Sequence, residues 1–209
     1  MCVPKTEIFL DDKDCDRFLK LLYLCNSKAK IDFREDIVRA KINAWDFNKE
    51  ISIVFIGAWV LMPNHFHLYL TANAKARLPQ DLSAVAVFMQ KVLTAYSKYF
   101  NAKYGRTGSL FETKYKSVHI KNDNQAKYLF SYIHLNPIKL IDPKWKECGI
   151  KDIKKSLDFL NKYKWSSYLD FQNNDREENK ILDLKNFPKY FFNIKDFNRE
   201  ILSWLKYKE

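Results

Sequence analysis

The chain has 209 residues, 47% of them hydrophobic and 16% aromatic, enough apolar material for one core or at most two small ones and not the composition of a disordered tail. Lysine and arginine number 36 against 25 acids, a formal net charge of +11. Such an excess favours a polyanionic partner, because each neutralised phosphate releases counterions, although a lysine-rich composition set by genome bias would give the same total.

The N-terminal stretch "MCVPKTEIFLDDKD" has acids early and no apolar segment, so it is not read as a secretory signal. Next, "DDKDCDRFLKLLYLCN" predicts a helix whose acids cap it and complement its dipole, with Phe18, Leu19, Leu21 and Leu22 at helical spacing. Residues 27–50 are mixed and charged, and a loop with one short helix is expected. "ISIVFIGAWVLMPN" is β-branched and aromatic and "HFHLYLTAN" alternates; together they read as a hairpin closed by Leu61-Met62-Pro63-Asn64. A helix is predicted over 81–101, with Val85, Phe88, Met89, Val92 and Tyr96 on one stripe. "AKYGRTGSLFETKYKSVHIK" suggests a turn and a strand or ribbon. The helix in "DNQAKYLFSYIHLN" is expected to end before Pro137, which disfavours helical geometry at the residue preceding it. A helical "IKKSLDFLNKY", a turn-like "KWSSYLDF" and the charged joint "QNNDREENK" follow, and "FNREILSWLKYKE" closes the chain as a short amphipathic helix. The simplest organisation is one domain over 1–172 with a helical appendage over 173–209. The four cysteines, Cys2, Cys15, Cys25 and Cys148, form no CxxC pair and read as reduced thiols of a cytoplasmic protein. No apolar run reaches the roughly 18 residues of a membrane span.

In "WVLMPNHFHLYL", His65 and His67 fall two apart on a strand and therefore share a face, with Tyr69 and Thr71 beyond them. Phe66, Leu68 and Leu70 take the other face as core. Two neighbouring imidazoles can chelate one divalent cation, but a lone H-x-H is as often just a polar strand face. Tyr132 and Asn136 are i and i+4 on a later helix, one above the other; spacing alone leaves them as an ordinary half-buried aromatic and a helix-end amide.

"WVLMPNHFHLYL", "FMQKVLTAYSKYFNAKYGRTGSLFETKYKS", "YLFSYIHLNPIKL" and "YKWSSY" occur in that order over about three quarters of the chain. In this the sequence resembles the single-tyrosine HUH transposases, and more closely their REP-associated branch. The resemblance implies an α+β, ferredoxin-like fold, an antiparallel sheet with helices packed on one face. It implies an Mg²⁺ or Mn²⁺ ion held by His65 and His67, with Asn136 in the place of the third ligand. Tyr132 matches the nucleophile that cuts single-stranded or hairpin DNA. Family members begin with a full strand before "IF.DD", whereas only "MCVPKTE" precedes Ile8 here; the expected sheet lacks that strand, and activity is expected only if the strand can be spared.

Among the 12 tyrosines, Tyr128 lies one turn from Tyr132, and Tyr96 and Tyr99 have the spacing of packing residues. Lys103, Arg106, Lys114 and Lys116, interleaved with Tyr104, Phe111 and Tyr115, suit a phosphate track with stacking platforms, or equally a solvated basic ribbon. Glu112 suits the site or a lysine partner; His119 and His134 fit no metal spacing, and Trp165 reads as core. Two rival functions follow from the residues: a non-catalytic binder of DNA hairpins, and a metal-dependent nuclease or phosphodiesterase using activated water. The latter needs carboxylates near the histidines, and the nearest downstream acid is Asp81. The partners expected are DNA, no membrane, and a monomer or homodimer.

Overall fold

The structure, a computed structural model, describes residues 7–76, 78, 83–172, 174–187 and 193–206. Its centre is an antiparallel hairpin, β1 (Val54–Met62) and β2 (His65–Ala72), paired from Val54↔Ala72 to Met62↔His65. Pro63 and Asn64 form the two-residue turn, and the Pro63 carbonyl accepts from the Ile8 and Phe9 amides at 2.8 and 3.1 Å. The register slips by one residue between Ile56 and Ala58. This bulge lets Ile56 and Trp59, three apart, enter the same core, where a regular strand would put them on opposite faces. Gly57 occupies the bulge; a Cβ there would meet the Phe187 ring at 3.1 Å.

The β1 run "VFIGAWVLM" has no polar alternation, so both of its faces demand cover. On one face lie α1 (Asp12–Leu24) and α2 (Ala84–Tyr104), whose Phe18, Leu22, Phe88 and Tyr96 join Ile56, Trp59 and Leu61 in one core. Phe66, Leu68 and Leu70 of β2 pack on this core, as their alternation predicted. On the other face, Ala58, Val60, Met62 and Tyr69 form a second core with α3 (Asp123–Leu135), α5 (Ile153–Leu160) and α6 (Ile194–Lys206). A single turn, α4 (Trp145–Cys148), connects α3 to α5. The class is α+β as expected, but the helices cover both faces of a two-stranded sheet and not one face alone.

The two sheet edges differ. Along β1, the Leu61 amide donates to Trp165 O and the Asp183 amide donates to Ile56 O, both at 2.9 Å, and Val60 bridges to Ser166. Among the described residues no strand pairs with the far edge of β2.

Helix ends follow local chemistry. The Asp11 side chain accepts from the Asp14 amide to start α1, and Gly105, at φ 61°, ends α2 in the left-handed region that glycine favours. α3 ends at Leu135, before Pro137 as expected, although its C-cap Asn136 keeps helical angles (φ −53°, ψ −37°). Pro137 opens a 3₁₀ turn over Asn136–Leu140, at a position where its missing N–H costs nothing. The ribbon expected after α2 does not form; residues 106–121 run irregularly. Gly105 and Gly108 turn the backbone there, and most of the side chains between 112 and 119 are exposed, so no second layer holds a strand. Residues 27–50 carry a short π-helical segment, Phe33–Arg39, and a 3₁₀ turn, Ala44–Asp46. Beyond 173 the chain enters both cores, Ile181 in the first and Phe197 and Ile201 in the second. Residues 1–6, the start of the expected 81–101 helix with Asp81, and 207–209 lie outside the described residues.

Candidate functional site

The open edge of β2 borders a cavity of about 750 Å³. Residues His65 to Leu70 all line it, strand faces of both senses, which is why it follows the edge of the strand. Its opposite wall is the irregular segment 110–118, and Leu129, Tyr132, Ile133 and Lys139 from the α3 side complete it. Because that segment forms no ladder with β2, space is left where a third strand would sit.

His65 and His67 project together, as their two-residue spacing requires, with ring centroids 5.1 Å apart and planes at 84°. His65 Nδ1 lies 2.6 Å from Asn64 Oδ1. An amide oxygen can only accept, so the neutral ring carries its proton on Nδ1 and presents Nε2 as its basic nitrogen, the arrangement a metal-binding imidazole uses. Tyr132 reaches the pair from α3, its ring 5.5 Å from that of His67 and at 67° to it. The two histidines and the tyrosine, 65 residues apart in sequence, are thus brought to one wall.

Asn136, the next position on the same helical stripe, is 2% exposed and does not line the cavity. Its Oδ1 is buried and accepts no hydrogen bond among the described residues. Such an orphaned amide oxygen is costly unless something satisfies it, and amide oxygens and imidazole nitrogens are donor types that suit a divalent cation. Among the described residues no group of three His, Cys, Asp or Glu side chains is suited to a metal.

The four basic residues expected to meet phosphate divide. Lys114 and Lys116 line the cavity with Glu112 and Tyr115. Lys103 turns away, its Nζ 2.7 Å from both Asp11 Oδ1 and Asp14 Oδ1. Arg106 lies at the end of α2, its guanidinium carbon 5.6 Å from the Phe100 ring centre. Neither borders the cavity. Burial pushes the Asp14 carboxyl up, but hydrogen bonds from Lys103, the Leu10 amide, Tyr104 and Tyr99 outweigh it and hold the group below the usual carboxylate range. Lys139, on the 3₁₀ turn that follows α3, was not foreseen. Lys146 was not foreseen either: its ammonium sits 3.7 Å from the centre of the Tyr132 ring.

His134, left open by the sequence, is structural. It is fully buried, with Nδ1 2.9 Å from Phe130 O and Nε2 2.8 Å from Ser167 Oγ. The carbonyl can only accept, so the proton sits on Nδ1 and the Ser167 hydroxyl donates to Nε2. Burial pushes its pKa down to about 3, which keeps the ring neutral. Ser167 also accepts from the Trp59 amide at 3.0 Å, so α3 is tied to β1 directly behind the site. Trp165 is half-buried against the first core, and His119 is exposed.

Between Lys103 and Lys164 there are 14 lysines and arginines against six acids, so most of the basic excess lies in a stretch that includes the 110–118 wall of the cavity. No helix among the described residues is long and apolar enough to cross a membrane. No family model, curated protein or solved structure matches the chain.

Proposed function

We propose that the protein cleaves and rejoins single-stranded or hairpin DNA by transesterification at Tyr132, as a metal-dependent transposase of the HUH type acting in the cytoplasm as a monomer or homodimer. The observation that carries this reading is the approach of Tyr132 to His67 on the wall of a cavity that also holds His65, Lys114, Lys116 and Lys139. His65, His67 and Asn136 would hold Mg²⁺ or Mn²⁺, which supplies Lewis-acid polarisation of the scissile phosphate. Lys114, Lys116 and Lys139 bind the strand through its phosphates. The Tyr132 hydroxyl oxygen attacks phosphorus and gives up its proton to solvent. The bond from phosphorus to the 3′ oxygen breaks, that oxygen takes up a proton, and a 5′-phosphotyrosine and a free 3′-OH result. Attack on the adduct by another 3′-OH reverses these steps and joins new DNA, so no nucleotide cofactor is consumed.

The test is incubation with Mn²⁺ and labelled hairpin DNAs, followed by a denaturing gel, with Tyr132→Phe and His67→Ala alongside. The reading requires a covalent protein–DNA adduct that both variants lose. Hairpin binding with no adduct would leave a DNA-binding relic. A second reading, hydrolysis by activated water, draws on Glu112, the carboxylate that shares the cavity with the histidines. It requires cleavage that leaves no adduct, survives Tyr132→Phe and is lost in Glu112→Gln.

A further inference from the structure

The ring of Tyr132 is held on more than one side. His67 meets it at 67°, Tyr128 lies nearly parallel to it at 6.3 Å and 7°, and the Lys146 ammonium stands 3.7 Å from its centre. Lys146 belongs to α4, a single turn whose position is fixed from both ends. The Asp142 carbonyl accepts from the Trp145 amide at 3.2 Å, and the Asp142 carboxylate accepts from the Lys151 amide at 3.3 Å. Trp145 packs on the second core, which leaves the neighbouring Lys146 directed over α3. The side chain is exposed and has no acid within ion-pair distance among the described residues. Its recorded contact is the aromatic face, where the negative ring quadrupole attracts a cation.

We infer that Lys146 is a positioning residue: its ammonium holds the Tyr132 ring in the orientation from which the hydroxyl attacks. This deepens the transesterase reading and rests on it. A cation over the ring face restrains the torsions of the side chain while leaving the hydroxyl at the ring edge accessible. Because Lys146 does not border the cavity, it acts through the tyrosine and leaves the strand itself to Lys114, Lys116 and Lys139.

The experiment compares wild type, Lys146→Met and Lys146→Arg at saturating hairpin DNA with Mn²⁺, measuring the single-turnover rate of adduct formation and, separately, hairpin affinity. Methionine keeps the apolar stem and removes the charge; arginine keeps a cation that stacks on aromatics. The expected result is a rate about fivefold lower for Lys146→Met, the size of an exposed cation–π attraction, with affinity within about twofold of wild type and most of the rate restored in Lys146→Arg. An unchanged rate in Lys146→Met overturns the inference, as does a loss of affinity with no loss of saturated rate, which would make Lys146 a phosphate contact. Failure of arginine to restore the rate also overturns it. NMR of the Lys146 ε-methylene protons tests the seat without catalysis: the ring current of Tyr132 should move them upfield, and Tyr132→Leu should abolish the shift. If wild type forms no adduct, the transesterase reading fails, and so does positioning for attack, while the upfield shift alone decides whether the cation seat exists.

Discussion

At the scale of single residues, charge and burial separate lysines that look alike in sequence. Lys103 stands in the same basic stretch as Lys114, yet it satisfies Asp14, which is fully buried. Removing one partner of such a pair leaves a buried charge short of a donor, so Lys103→Ala should lower unfolding stability by about 2 kcal/mol in urea titrations. Lys49 is a different case. Burial pushes its pKa down to about 8, and its ammonium lies 4.4 Å from the Tyr23 ring centre. Below that pH both folded and unfolded chains carry the charge, and folding must bury it; between about 8 and the ordinary lysine value of 10.5 the unfolded chain binds the proton that the folded chain releases. Stability contributed by the neutral form is therefore present above 10.5 and lost as pH falls through 8. Lys49→Met should stabilise the protein more at pH 7 than at pH 10, as measured by paired urea titrations. The sequence brought out His65, His67 and Tyr132 because each sits in a short motif, the two-residue spacing on a strand for the histidines and, for Tyr132, the stretch "YLFSYIHLNPIKL" that carries the family resemblance. Lys146 has none, since it reaches Tyr132 from a separate turn through a contact that only the path of Asp142 and Trp145 fixes.

At the scale of elements, α3 carries Tyr132 and is capped at its end by Asn136, and its start is set by local bonds. The Asn122 side chain accepts from the Gln125 amide at 2.9 Å, and the Gln125 side chain reaches back to the Lys121 amide at 2.8 Å. Asn122→Ala should cost about 1 kcal/mol of stability. Because the far end of the helix is tied to β1 through His134 and Ser167, adduct formation per folded molecule should stay at the wild-type level; a rate loss larger than the loss of folded protein would show that the cap also aims Tyr132. Elements were legible where periodicity and a stop signal agreed, as in α1 with Asp11 and α2 with Gly105. The alternation in 103–120 suggested a ribbon, but a period of two makes a strand only where a neighbour supplies hydrogen bonds, and here Leu110 and Phe111 are drawn into the first core instead. The helices on both faces of the sheet were implicit in the unbroken apolar run of β1. The expectation of one covered face came with the family resemblance, whereas Tyr69 of β2 is buried against Phe130 and Phe187 on the second face.

At the scale of the whole molecule, a formal charge of +11 says only that polyanions are attracted; the fold decides which cations a strand can reach. Lys114, Lys116 and Lys139 face one cavity, while Lys103 is spent on Asp11 and Asp14. Counterion release gives a slope of about −0.7 in log affinity against log salt for each phosphate neutralised on a single strand. On the proposed reading three cavity lysines would contribute a slope of about −2 to hairpin-flank binding, and the double variant Lys114→Gln, Lys116→Gln should make the measured slope shallower by about 1.4. Lys103→Ala should weaken the fold and leave the slope where it was. Filter binding of a labelled single strand across a salt series reads both numbers. Equal loss of slope in the two proteins would mean that DNA responds to the net charge of the surface as a whole; loss confined to the cavity pair would place the strand along the open edge of β2, over His65, His67 and Tyr132.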